Sequence, residues 1–267
     1  MKFGFIGTGN MGAALAAAAV KGVGGEHVVL TNRTHAKAVA LAQNLGCTTS
    51  TNARVAEECD LIFLGVKPHL MADLLQELAP VLAARRTPYT LVSMAAGLTI
   101  ARLQEMVGVN APIIRIMPNT PAQVGDGMIL YVVSPEVTEE TLNDFLQGMA
   151  PAGRFDALPE SLMDAGSAVS GCGPAFVYLM IEALADGGVA CGLPRQKAQD
   201  YAAQTLLGAA KMVLETGKHP GALKDAVCSP GGSTIQGVRA LEENGFRTAA
   251  FEAVIAAYHK TRDLGKA

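Results

Sequence analysis

Three observations predict an α/β fold, a doubly wound, mostly parallel sheet followed by an all-helical domain. Short β-type runs alternate with helical patterns as far as residue 158. The first run leads straight into a glycine-rich turn that opens a helix. Beyond Pro159 the β alternation stops and only helical patterns remain. Strands alternating with helices of this length pair in parallel through right-handed crossovers.

In chain order, Phe3–Ile6 is the first strand, and its helix runs to about Val20. Residues 27–31 are the next strand and Thr34–Leu45 the next helix. A short strand near 47–50 and a short helix near 53–58 follow. The run LIFLGV at 61–66 reads as a strand buried on both faces. Then come a helix over 69–83, a strand over 90–94, a helix over 99–107 and a strand over 113–117. Residues 127–133 and 153–157 are further strands. Between them lies a helix over 138–149, with Thr138 as N-cap and Glu139 and Glu140 in its first turn.

After Pro159, helices are expected at 160–170, 174–190, 194–216, 220–227, 233–244 and 247–264. Pro174 and Pro194 suit first-turn positions, and Gly192 and Gly217 suit C-caps. The domains expected are therefore 1–158 and 159–267. The helices over 174–190 and 194–216 are apolar around much of their surface, whereas a surface helix has a polar side. They are either deeply buried or covered by another subunit, which predicts dimerisation through the second domain.

Composition narrows the function. A length of 267 residues suits two domains of about 150. Charged residues at 17% beside hydrophobic ones at 50% exclude global disorder. A net charge of -3 without a Lys/Arg block argues against a nucleic-acid partner. Cys47, Cys59, Cys172, Cys191 and Cys228 form no CxxC pair, which fits a reducing compartment without disulfides. No metal site is expected. No apolar run approaches the ~18 residues of a membrane span, so no membrane partner is expected. Lys2 and the Ala-rich residues 13–19 imitate a signal peptide, but Gly7, Thr8, Gly9, Asn10 and Gly12 interrupt its apolar core. A cytoplasmic protein is expected.

Gly7-Thr8-Gly9-Asn10-Met11-Gly12 is a G-x-G-x-x-G between a strand and a helix, the context of a Rossmann-type dinucleotide site. Such glycines admit a pyrophosphate, and the helix start supplies N–H groups and partial positive charge. The second strand ends Thr31-Asn32-Arg33-Thr34 without the acid that NAD sites use for the ribose. Arg33 suits a 2′-phosphate, with Asn32 and Thr34 as hydrogen-bonding neighbours. This predicts NADP, with NAD as the alternative. Later strand ends face the same ligand: Val66-Lys67-Pro68-His69, Ala95-Ala96-Gly97 and the loop around Asn119 and Thr120. Lys67 and His69 are read as loop residues rather than catalysts. Asn119 and Thr120 are candidates to bond nicotinamide or substrate. The candidate cofactor set is Gly7, Thr8, Gly9, Asn10, Met11, Gly12, Asn32, Arg33, Thr34, Asn52, Val66, Lys67, Pro68, Ala95, Ala96, Gly97 and Asn119.

Cys228-Ser229-Pro230-Gly231-Gly232-Ser233-Thr234 stands just before a helix. It reads either as a second anion site built from N–H groups, suited to a carboxylate, or as an interhelical turn capped by Ser233 or Thr234.

The chain resembles pyrroline-5-carboxylate reductases over essentially its whole length. The resemblance rests on GFIGTGNMG at 4–12, VKPH at 66–69, AAG at 95–97, RIMPNTP at 115–121, ALADGGVACGLPR at 183–195, LLGAAKM at 206–212 and DAVCSPGGSTIQGVRALE at 225–242. It departs where Cys172 and Phe176 replace the usual Ser and Tyr, and where Ala226 replaces an Asn of some relatives. The resemblance implies NAD(P)H-dependent reduction of 1-pyrroline-5-carboxylate to L-proline. It also implies a homodimer with intertwined helical domains, in some cases a pentamer of dimers. The active site would then lie between the Rossmann domain of one subunit and helices of the dimer interface. On this reading Gly231, Gly232, Ser233 and Thr234 bind the substrate carboxylate, and the Thr234 hydroxyl serves the ring nitrogen as the catalytic group. Two other classes are weighed against it. A 3-hydroxyacid dehydrogenase would need a basic lysine, for which Lys211 and Lys224 are available, and a catalytically silent NADP-binding sensor would need no substrate at all.

Overall fold

The computed structural model describes residues 1–264. Strands and helices alternate as β1 (Phe3–Ile6), α1 (Asn10–Val23), β2 (Val28–Thr31), α2 (His35–Leu45), β3 (Thr48–Thr49), α3 (Asn52–Glu58), β4 (Leu61–Leu64), α4 (Met71–Ala84), β5 (Thr90–Ser93), α5 (Ile100–Val107), β6 (Ile113–Met117), β7 (Gly127–Val133), α6 (Glu139–Met149) and β8 (Gly153–Ala157). Only helices follow: α7 (Met163–Ser170), α8 (Gly173–Ala190), α9 (Arg195–Thr216), α10 (Pro220–Ala226), α11 (Ser233–Glu243) and α12 (Phe246–Leu264).

The strands form one eight-stranded sheet in the order β3-β2-β1-β4-β5-β6-β7-β8. All pairs are parallel except β6 with β7. The doubly wound class is thus the expected one. Strand order reverses between β1 and β4, and ligands bind outside the carboxyl ends of strands at such a switch point. Register aligns the ends there, with Ile6 level with Thr31 of β2 and Leu64 of β4.

β4 stops at Leu64, two residues short of the apolar run that predicts it. Gly65 has turned out of the ladder, so close to Gly7 that a Cβ on Gly65 would lie 2.3 Å from Gly7 O. β4 is buried throughout, and Phe63 stacks on Phe5 with centroids 4.2 Å apart. Phe145 of α6 meets Phe155 edge-on at 5.5 Å. Phe3, Phe5, Phe63 and Phe145 are fully buried in this core. Thr51, Thr99 and Thr138 cap α3, α5 and α6 by accepting the N–H three residues on.

Arg85 closes the far end of α3, and its side chain is only 3% exposed. Nη1 donates to Ala56 O at 2.8 Å and Cys59 O at 2.6 Å, and Nη2 donates to Pro88 O at 3.1 Å. Nε serves Thr87. Arg85→Met would strand these carbonyls in a dry site, so a loss of about 2–4 kcal/mol is expected. Denaturant midpoints at fixed protein concentration check it, and an unchanged midpoint refutes it.

The described residues divide into two compact units, Met1–Cys172 with residues 257–264, and Gly173–Ala256. Strands give out before Pro159, but α7 still packs on β7. A Cβ on Gly166 would come within 2.4 Å of Leu130 Cδ1. In the second unit α8 and α9 meet through Ala185, Ala198 and Ala202. Gly188 allows this close approach, since its Cβ would lie 3.2 Å from that of Ala198. The rest of their apolar surface stays in solvent, with Leu179 68% and Leu214 70% exposed. Among the described residues of this unit, nothing covers that apolar surface.

Candidate active site

The three glycines after β1 have three separate duties. Gly7 has φ +94°, and a Cβ there would meet Gly65 O at 2.7 Å. Its N–H is held by Thr31 O at 2.9 Å. A Cβ on Gly12 would lie 2.2 Å from Gly7 O. Gly9 is the exception, for nothing lies within 4 Å of where its Cβ would be. Gly9 therefore leaves the backbone uncovered between two crowded glycines. Gly9 is also the N-cap of α1, with no side-chain cap and no acid in the first turn. Asn10 and Met11 are the first helical residues, so their N–H groups have no intrahelical acceptor. The Thr8 hydroxyl is buried without a hydrogen-bond partner among the described residues. This arrangement fits a dinucleotide pyrophosphate.

Around this loop the sheet brings the other strand ends. Arg33 is exposed, with no ion-pair partner among the described residues. Thr34 is the N-cap of α2, but its hydroxyl caps nothing, and no acid follows in the first turn. Asn32, Arg33 and Thr34 thus present an uncommitted guanidinium, a free hydroxyl and a helix start, which suits a phosphate. Asn52 accepts from Thr31 Oγ1 at 3.0 Å and donates to Glu77 Oε1 at 3.3 Å. Its amide therefore braces the end of β2. Val66 reaches over Gly7, with Cγ1 3.3 Å from the site of its Cβ. Lys67 and Pro68 are exposed and open a short 3-10 turn that includes His69. Ala95 is buried, Ala96 packs near Met117 and Met163, and Gly97 turns the chain at φ +77°.

Asn119 is also committed within the chain. Nδ2 donates to Ser170 O and Oδ1 accepts Met128 N–H, both at 2.9 Å. Its amide pins the loop after β6, leaving Thr120 exposed beside it. The sequence does not reveal Gly65, whose backbone forms the wall against Gly7. A lone glycine after an apolar run carries no distinguishing signal.

The 228–234 turn differs from expectation in two details. Ser233 and Thr234 do not cap α11; they are its first two residues, and Gly232 is the N-cap without a side-chain bond. Gly232 N–H is not a free donor either, because it closes the turn onto Ser229 O at 3.0 Å. The donors without an intrahelical acceptor are those of Ser233, Thr234 and Ile235, the last unforeseen because an apolar residue advertises no polar role. Gly231 sits at φ +69° with nothing within 4 Å of its Cβ position. The hydroxyls of Ser233 and Thr234 are exposed.

Few groups here can act as a nucleophile or base. Burial pushes the Cys59 thiol up to about 11 and raises that of Cys47. A hydrogen bond to Asp225 holds the Lys224 ammonium above the usual lysine range. Lys211 lies 3.5 Å from Glu215 on an exposed helix face. Among the described residues no cluster of His, Cys, Asp and Glu could hold a metal.

Two family models match the chain. One, described as pyrroline-5-carboxylate reductase dimerisation, matches residues 160–264. The other, described as NADP oxidoreductase, coenzyme F420-dependent, matches residues 2–97. The pyrroline-5-carboxylate reductase of Escherichia coli K12 is 42% identical over 269 residues, which cover 99% of this chain and 98% of that protein. That of Glycine max is 44% identical over 270 residues, covering 98% and 95%. The chain belongs to the pyrroline-5-carboxylate reductase family. The crystal structure of the Plasmodium falciparum pyrroline carboxylate reductase with NADP bound matches at a TM-score of 0.86 and 34% identity, covering 99% of this chain and 98% of that one.

For a pyrroline-5-carboxylate reductase the bare apolar helices have an explanation. The dimerisation model spans α7 to α12, the helices whose apolar residues lie in solvent. Self-association covers them. Within this region Glu160–Ala190 is long and apolar enough, at a mean hydropathy of 1.5, to cross a membrane by length and composition alone. The whole of it falls within the residues that the dimerisation model matches.

Proposed function

We propose that the chain reduces 1-pyrroline-5-carboxylate to L-proline, the final step of proline biosynthesis, by hydride transfer from NADPH. One observation carries the reading within this family. α1 and α11 both start at a glycine, without a side-chain cap and without an acid in the first turn. The structural helices α3, α5 and α6 are instead capped by threonine. A bare helix start offers N–H groups and a positive dipole end to an anion. The chain has one such start for a pyrophosphate and another for a substrate carboxylate.

The nicotinamide, when bound, supplies the hydride. Everything else falls to the chain. The residues from Gly7 to Gly12 cradle the pyrophosphate, and Asn32, Arg33 and Thr34 take the 2′-phosphate. Asn52, Val66, Lys67, Pro68, Ala95, Ala96, Gly97 and Asn119 form or brace the strand-end loops against the cofactor. Ser233, Thr234 and Ile235 hold the carboxylate through N–H groups, and Gly231 and Gly232 keep the turn open. The Thr234 hydroxyl hydrogen-bonds the ring nitrogen and keeps it oriented. A protonated imine is electrophilic at carbon, so no enzyme nucleophile is required. Orientation of two bound reactants supplies much of the rate.

Two functional divisions complete the proposal: residues 1–158 bind cofactor, and residues 159–267 bind substrate and dimerise. The chain forms a homodimer, with a pentamer of dimers as the higher assembly to test for, and the protein works in the cytoplasm without a nucleic-acid or membrane partner. Light scattering after size exclusion checks the assembly, and a dimer as the largest species refutes the pentamer.

The deciding experiment follows NADPH oxidation when pyrroline-5-carboxylate is added. Turnover is expected. NADPH binding without turnover would mean a sensor, and turnover of a β-keto acid instead would mean a dehydrogenase. NADPH is expected to exceed NADH in kcat/KM. Arg33→Ala should reduce that ratio roughly ten- to a hundredfold, the worth of a charge-assisted bond. An unchanged ratio removes Arg33 from the 2′-phosphate site.

A further inference from the structure

The turn between β5 and α5 carries Ala95, Ala96 and Gly97. At its start Ala95 N–H lies 3.4 Å from Ser93 Oγ. Its far end is held by a residue 60 positions away. Ile100 N–H, the first of α5, donates to Glu160 Oε1 at 2.8 Å. The same oxygen accepts from Arg115 Nη1 at 3.0 Å. Arg115 stands on β6 with its side chain 3% exposed, and its Nη2 lies 3.7 Å from Asp164 Oδ1. Its Nε is buried without a hydrogen-bond partner among the described residues. Among the described residues the guanidinium thus depends on these two carboxylates.

A buried cation resists any retreat of the carboxylates that pair with it, because an unpaired buried charge is costly. Arg115 therefore fixes Glu160, and Glu160 fixes the first N–H of α5. A carboxylate is also favoured there by the helix dipole. Gly97, at φ +77°, lies only three residues before Ile100. So short a segment, at about 3.3–3.6 Å per extended residue, cannot relax independently of its anchor.

We propose that Glu160 is a positioning residue for the cofactor, acting through Ile100 on the Ala95–Gly97 turn, with Arg115 holding its carboxylate in place. This rests on the reading of that turn as a cofactor contact. Glu160 does not touch the cofactor. It sets the backbone that does.

The test measures NADPH affinity by fluorescence titration of the full-length protein, with steady-state kinetics and thermal midpoints. Glu160→Ala should weaken NADPH binding roughly tenfold, the loss of a charge-assisted bond, and kcat at saturating NADPH should stay within about threefold. Glu160→Gln keeps an acceptor for Ile100, so its affinity should stay within about threefold of wild type. Its midpoint should nevertheless fall, because Arg115 has lost a counter-charge. A merely structural residue would not separate affinity from midpoint in this way. If Glu160→Ala does not fold, Glu160→Asp takes its place; it retains the charge but is one methylene short of Ile100. Unchanged NADPH affinity in the variant read overturns the proposal. Ala96→Leu, within the turn itself, separates the two readings. If Ala96→Leu weakens NADPH and the Glu160 variant does not, the proposal alone fails. If neither does, the cofactor role of the turn fails with it.

Discussion

Gly7→Ala is expected to cost the fold and the cofactor together, whereas Gly9→Ala should cost the cofactor alone. At Gly7 the backbone has φ +94°, where an L side chain is strained, and the new methyl would lie 2.7 Å from Gly65 O. That neighbour is backbone of the adjacent strand end and has no rotamer to yield. Strain and clash together predict a loss on the order of 3 kcal/mol, with NADPH binding lost as the loop moves. Gly9 has ordinary φ -67° and nothing within 4 Å of its Cβ position. Alanine is a poorer N-cap than glycine, so stability should fall by less than about 1 kcal/mol. On the proposed reading of this loop as the pyrophosphate cradle, the methyl would stand in the way of the ligand, so NADPH affinity should fall roughly tenfold or more. Thermal midpoints without cofactor and NADPH titrations check both. A Gly9→Ala variant that binds NADPH like wild type would place the cradle elsewhere.

Thr234→Val should lower kcat/KM by roughly one to three decades, the range for a positioned polar group. The side chain is exposed and caps nothing, so the fold should be unaffected. Valine keeps the shape and the backbone N–H, so the carboxylate should still bind and the loss should fall mainly on kcat. Thr234→Ser keeps the hydroxyl and should recover most of the activity. Wild-type kcat in Thr234→Val would reduce Thr234 to a backbone donor.

The two loops were unequally legible. The spacing of Gly7, Gly9 and Gly12 between a strand and a helix announces a dinucleotide site: Gly7 and Gly12 answer a local backbone demand, and Gly9 leaves the backbone between them uncovered. The turn at 228–234 was ambiguous, since Ser and Thr before a helix usually cap it. Here Gly232 takes the cap position, so neither hydroxyl caps the helix. The free donor of Ile235 and the spent donor of Gly232 follow from which carbonyl the turn closes onto. No residue type encodes that choice.

Element order, the sheet class and the apolar excess of the late helices could all be read from the one-dimensional pattern, because period and punctuation are local properties. Arg85, Arg115 and Asn119 could not. Each looks like an ordinary polar residue in sequence. In the fold, Arg85 closes α3, Arg115 holds Glu160 at the start of α5, and Asn119 ties β7 to α7. The partners that make these ties lie 9 to 51 positions away. A hydrogen bond is decided by distance and direction in space, and a buried donor takes whichever acceptor the packed chain brings within 3 Å or so. Local pattern therefore shows where a strand ends and a helix begins, while packing decides which side chains remain free to meet a ligand.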